Sequence, residues 1–149
     1  MRDRGGTWVA AQVPLMLAAI VLPPWLGTLA SGHARWVACT LLISGMALGI
    51  ASRWALGASF TPFPRPREGG SQVHRGPYRW VRHPMYAAIL LACAGWALLW
   101  LSLEGAAMTA VLLVFFDRKA RREEAWLAES YPGYADYKRR TKKLVPFVY

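Results

Sequence analysis

The chain has 149 residues, a length that suits one domain, and joins 55% hydrophobic residues to a formal net charge of +10 from 18 Lys/Arg against 8 Asp/Glu. A soluble globule of this size does not hold both extremes unless charged and apolar residues are segregated along the chain. They are segregated here, which excludes an ordinary soluble domain and predicts an all-α integral membrane protein.

Residues 8–29, WVAAQVPLMLAAIVLPPWLGTL, contain no charged side chain, and neither do residues 36–52, WVACTLLISGMALGIAS. A third uncharged run covers 85–103, and a fourth, 105–116, is separated from it only by Glu104. Crossing about 30 Å of hydrocarbon takes roughly 17–25 helical residues. The first three runs meet or approach that length. The fourth meets it only where its helix continues into DRKARREE, with long basic side chains reaching toward headgroups. The expected architecture is a single domain over 1–149 with four spans, 8–29, 36–52, 85–103 and 105–118. An irregular loop at 56–84 and a C-terminal helix or tail at 119–149 complete it.

Arg2 and Arg4 before the first run, and LASGHA after it, also fit a cleaved leader. Pro14, Pro23 and Pro24 inside the run, and three later apolar runs, favour a retained span instead. Cys39 and Cys93 both sit in apolar runs and read as small buried residues, not as a disulfide or metal site. No metal site is expected. Gly45 and Gly49 form a G-x-x-x-G pair in the second run, which serves equally for packing within the chain or for a homodimer.

Charge placement sets the topology. Of the 18 Lys/Arg, 17 fall at the N-terminus, between Arg53 and Arg82, or between Arg118 and Lys143, and only Arg35 lies elsewhere. Four helices joined by short turns put all 17 on one side, cytoplasmic by the positive-inside rule, with both termini there. The basic segments are interleaved with Tyr78, Trp80, Tyr131, Tyr134 and Tyr137 beside apolar runs. Membrane lipids explain that mixture better than nucleic acid, which is not an expected partner.

The loop LGASFTPFPRPREGGSQVHRGPYRW is rich in Pro and Gly and has no helical period. Pro84 disfavours helix at His83 and suits the first turn of a helix starting there. The first N–H groups of that helix attract anions, and Arg79, Arg82 and His83 reinforce the effect. Glu123 and Glu124 follow four basic residues where the fourth helix leaves the apolar run. Adjacent carboxylates on a helix point about 100° apart, so at most one of the two faces squarely toward the Pro84 end. An acidic group opposite a basic helix start suits a zwitterion carrying both ammonium and carboxylate. A solvated helix with Lys119–Glu123 pairing is the plain alternative.

The segments GPYRWVRHPMY (76–86), RREEAWL (121–127) and YPGYADYKRRTKKLVPF (131–147), in that order, resemble the isoprenylcysteine carboxyl methyltransferases and the related phospholipid methyltransferases. The resemblance covers the chain from Leu56 onward. One departure is YPGY, where many relatives carry Phe-Gly before a Tyr. The resemblance implies S-adenosylmethionine held between the start of the third span and the end of the fourth. Tyr78, His83, Pro84 and Tyr86 would shape its pocket, with His83 and Tyr86 near its carboxylate. Glu123 or Glu124, Glu124 by preference, would hold its ammonium or ribose, and Arg82 would hold the acceptor or its developing charge. The implied activity is methyl transfer to a lipophilic acceptor, carboxylate or amine.

Two rival readings remain at this stage. The R-H-P-x-Y step also resembles membrane sterol and steroid reductases that use NADPH, for which Arg65, Arg67 and Arg75 would supply phosphate contacts. The short chain and the Glu pair argue against it. A non-enzymatic scaffold whose basic face grips anionic lipid is the other.

Overall fold

The computed structural model describes residues 5–66 and 69–146. Arg2, Arg4 and Arg67, singled out above, lie outside the described residues. Five α-helices follow in order: α1 (Gly6–Leu26), α2 (Gly32–Leu56), α3 (Pro84–Leu99), α4 (Leu103–Ser130) and α5 (Tyr134–Arg140). Short 3-10 turns occupy Gly57–Ser59 and Gly76–Arg79. Among the described residues there is no strand, and the only β-type pairing is an isolated bridge between Val81 and Lys142. The all-α expectation is therefore correct.

α1 and α2, the latter with its following turn, are long and apolar enough to cross a membrane. α1 continues unbroken through Pro14, Pro23 and Pro24. Large apolar side chains on both, including Trp25, Trp36, Ile43 and Trp54, face outward. An outward apolar surface of this extent belongs against lipid. α3 is apolar but shorter than expected. It ends at Leu99, where Leu101 adopts a left-handed φ of 44° and the Ser102 hydroxyl accepts the Gly105 N–H at 3.0 Å to start α4. Ser102 is thus an N-cap, and the uncharged run 85–103 is divided between a helix and a turn.

α4 runs 28 residues without a break, through the basic segment and both glutamates. Its apolar part packs on α1 and α3, and the remainder extends past the ends of its neighbours. From α1 to α4, helices consecutive in the chain run antiparallel, and α1 and α3 run parallel, with Trp96 Nε1 donating to the Ile20 carbonyl at 2.9 Å. At one end Gly105 meets Pro23 and Ala97; at the other Gln12 meets Lys119, and Trp8 meets Phe115. α2 and α3 approach most closely, because Gly45 lies on the Ala88–Ala92 backbone and Gly95 on the Ala38–Leu42 backbone. Gly45 and the neighbouring Gly49 therefore pack against α3 of the same chain. Cys39 and Cys93 are free thiols, half-buried. A small core of Ala19, Leu112 and Phe116 joins α1 to α4.

This arrangement brings the starts of α1 and α3, the end of α2, and the α4 extension to one end of the bundle. Gly5 packs there on Pro64 and Trp126. The loop and the C-terminal segment close over that end.

Candidate active site

The N–H-rich start of α3 is built locally by Pro84, the first helical residue, with His83 at the N-cap. The His83 carbonyl accepts from the amides of Tyr86 and Ala87, so the imidazole is thrown off the helix toward α4. The backbone before it is strapped to the C-terminal segment. Arg82 N–H donates to the Lys142 carbonyl at 2.8 Å, His83 N–H to the Lys143 carbonyl at 3.0 Å, and Lys142 N–H to the Trp80 carbonyl at 3.2 Å.

Two carboxylates from the α4 extension meet this corner and divide its partners. Glu124 is 5% exposed. It accepts from Arg82 Nε at 2.7 Å, pairs with Lys138 Nζ at 2.8 Å, and lies 3.3 Å from His83 Nε2. Burial raises its proton affinity, but hydrogen bonds from His83, Lys138 and Arg82 outweigh that and hold the carboxyl well below the usual carboxylate range. Glu123 accepts from the Tyr86 hydroxyl at 2.6 Å and lies 3.7 Å from His83 Nδ1. His83 thus stands between both acids. Its ring also stacks on Tyr86, with 5.3 Å between centroids and planes 4° apart.

These groups border a cavity of about 200 Å³ between the loop, α3, α4 and α5. Tyr78, Arg82, His83, Tyr86 and Glu123 line it; Pro84 and Glu124 do not. Arg82 is committed to Glu124 and to the Lys138 and Thr141 carbonyls, so it fastens α5 to α3 and offers no unpaired cation to a ligand. Glu124, the carboxylate preferred from sequence, is not among the residues that line the cavity. Its oxygens are taken up by Arg82, Lys138 and His83, and Glu123 is the acid that faces the cavity. His83 and Tyr86 likewise turn toward acids, a poor setting for a ligand's carboxylate.

Several lining groups were not among the expected site residues. Lys119, one helical turn before Glu123, is 2% exposed. Gln12 reaches in from α1, and Gln72 from the loop. Tyr131, Tyr134 and Tyr137 come from the C-terminal segment, where they had read only as interfacial aromatics. The Tyr137 hydroxyl donates to the Tyr78 carbonyl at 2.7 Å, and burial pushes its own titration up to about 12. Two residues that line the cavity, Gln72 and Tyr134, each bury a polar atom, Gln72 Nε2 and the Tyr134 hydroxyl, without a hydrogen-bond partner among the described residues. Among the described residues, no group of three or more His, Cys, Asp or Glu side chains is placed to hold a metal ion.

The profile of the phospholipid methyltransferase family matches residues 33–133, which include the Pro84 step and both glutamates. The chain belongs to that family. A cobalt-zinc-cadmium resistance protein, CzcN, of Cupriavidus metallidurans is 34% identical over 97% of this chain and 64% of its own length. A nickel-cobalt-cadmium resistance protein, NccN, of Alcaligenes xylosoxydans xylosoxydans is 27% identical over 97% of this chain and 65% of its own. The chain thus spans under two thirds of these relatives. The eukaryotic intramembrane Ras methyltransferase ICMT superposes with a TM-score of 0.69 at 19% identity, over 98% of this chain and 54% of that one. The methyltransferase family and the ICMT-like membrane fold agree with the resemblance drawn from the three sequence motifs.

Proposed function

We propose that this protein transfers a methyl group from S-adenosylmethionine to a lipophilic acceptor at the cytoplasmic face of a membrane. The observation that carries the reading is the cavity at the Pro84 end of the bundle. An acid facing inward, tyrosine side chains and two glutamines share its wall. S-adenosylmethionine presents an ammonium, a sulfonium, ribose hydroxyls and an adenine ring, and the residues present fit that set.

Glu123 would take the ammonium. Gln72 and Tyr134 would satisfy ribose or adenine edges, and the rings of Tyr78 and Tyr86 would border the sulfonium, which a π face stabilises. When bound, the cofactor supplies an electrophilic methyl on sulfur. The chain's contribution is alignment and exclusion of water, the principal demands of an in-line displacement. Arg82 and Glu124 act as positioning residues, pinning α5 across the cavity so that the Tyr134 and Tyr137 wall stays in place. A carboxylate acceptor needs no base. An amine acceptor must lose a proton, and His83, between two acids, is the group placed to receive it.

The same reading makes α1 to α4 four spans, with the basic end cytoplasmic. The helix α4 crosses through its apolar first half and carries the site on the part that emerges. The apolar outer faces of the helices let a lipid-soluble acceptor approach from the bilayer. Calorimetry on purified protein in lipid nanodiscs tests the proposal. Saturable binding of S-adenosylmethionine, without NADPH binding, is the expected result, followed by transfer of labelled methyl to a lipid extract. Absence of S-adenosylmethionine binding would overturn it.

A further inference from the structure

Lys119 is a buried charge that the pairing around Glu124 and Glu123 leaves without an ion-pair partner among the described residues. It is 2% exposed, and its ammonium donates to the Gln12 side-chain carbonyl and, at 3.3 Å, to the Pro62 backbone carbonyl. It also lies 5.5 Å from the centre of the Tyr86 ring. All these partners are neutral. Among the described residues no carboxylate comes within ion-pair distance of it, whereas Lys138 and Lys143 each have one. Burying an ammonium without an ion-pair partner is costly even with Glu123 acting on it from one turn away, and a cation held in a ligand-sized cavity is stabilised when an anion joins it.

The neighbourhood selects the anion. Lys119 and Glu123 stand one turn apart on α4, on one face, and both line the cavity. Tyr86 bridges them, with its hydroxyl on Glu123 and its ring beside Lys119. A polyanion such as a phosphate monoester would meet Glu123 repulsively. An α-amino acid, with ammonium and carboxylate on one carbon, meets both charges with opposite partners.

We propose that Lys119 receives the α-carboxylate of the methyl donor's amino-acid end, while Glu123 takes its ammonium. This rests on the cofactor reading above and moves the carboxylate from the His83–Tyr86 corner to the α1-facing wall. Gln12 is the positioning residue that holds the Lys119 ammonium in line. The pair also explains why an apolar helix such as α1 carries a glutamine at this level.

The test compares S-adenosylmethionine with its decarboxylated analogue by calorimetry in nanodiscs, on wild-type protein, Lys119→Met and Lys119→Arg. Wild type should bind the analogue roughly 10- to 100-fold more weakly, the range for a charge-assisted contact. Lys119→Met should bind both compounds alike, at about the affinity wild type has for the analogue, and Lys119→Arg should keep most of the discrimination. Equal affinities on wild type would overturn the assignment without any variant. Full discrimination in Lys119→Met would overturn it as well. A wild type that binds neither compound would remove the cofactor reading itself, a different failure from loss of discrimination alone.

Discussion

Arg82 Nε donates to Glu124 Oε1 at 2.7 Å across 42 residues of sequence, tying the entry of α3 to the α4 extension. Both side chains are nearly buried, with 10% and 6% exposure. Removing one member of such a pair strands the other. Glu124→Gln should therefore destabilise the fold by about 3 kcal/mol. Glu123→Gln removes a charge with fewer partners and should cost about 1 kcal/mol or less while weakening cofactor binding. Thermal unfolding of both variants in detergent checks the order; a larger loss for Glu123→Gln would contradict the division of labour between the two acids.

The pH dependence follows from the same carboxylate. Glu124 is held below the usual range in the folded state, so the unfolded chain takes up its proton first as pH falls. Its stabilisation is complete above the ordinary carboxylate value of about 4.5 and declines below it, toward the depressed folded value. Wild type should lose thermal stability between about pH 5 and pH 3 more steeply than Glu124→Gln, so that the gap between them narrows on acidification. A gap constant over that window would exclude Glu124 as the titrating group.

Gly45 and Gly49 make contrasting predictions. A Cβ at Gly45 would stand 2.7 Å from the Ala92 amide nitrogen and 2.8 Å from the Ala88 carbonyl, whereas one at Gly49 would meet only the Ala88 Cβ at 3.6 Å. Gly45→Ala should force α2 and α3 apart at a cost of roughly 1–3 kcal/mol. Gly49→Ala should be neutral or slightly stabilising, since alanine is the better helix former. Unfolding midpoints of the two variants measure this directly, and equal effects would argue against the tight α2–α3 crossing.

Tyr134 and Tyr137 differ by a single hydrogen bond. The Tyr137 hydroxyl donates to the Tyr78 carbonyl, so Tyr137→Phe should lose about 1 kcal/mol. The Tyr134 hydroxyl is buried without a partner among the described residues, so Tyr134→Phe should leave the ligand-free protein as stable or more so, yet lower its affinity for S-adenosylmethionine. Unchanged affinity in Tyr134→Phe would remove that hydroxyl from the proposed site.

Much of the frame was legible in the sequence because it depends on local rules. Pro84 fixes a helix start wherever its ring is tolerated, and segregation of charge from apolar runs marks the helices. The run 85–103 was misjudged in extent because hydropathy does not register a turn made by apolar residues. Only Ser102 followed by Glu104 carries the capping signal that stops α3 at Leu99. The choice between Glu123 and Glu124 was beyond sequence, since it depends on which cations reach α4 from α3 and α5, segments 40 residues upstream and a dozen downstream. Lys119 was hidden for a similar reason. Within a run of basic residues at a helix exit, nothing local tells the side chain that turns inward from those that reach to lipid. Gln12 was the available clue, an amide set in an apolar helix, and only folding shows what it holds.

The β-type bridge between Val81 and Lys142 sets the order in which the protein becomes complete. A ribosome that has delivered every apolar helix has still to supply the strap that flanks His83 and the tyrosines that wall the cavity. Bundle assembly can therefore run ahead of pocket formation during synthesis. A chain ending before Tyr131 would keep the four apolar helices and lack both the strap and those tyrosines.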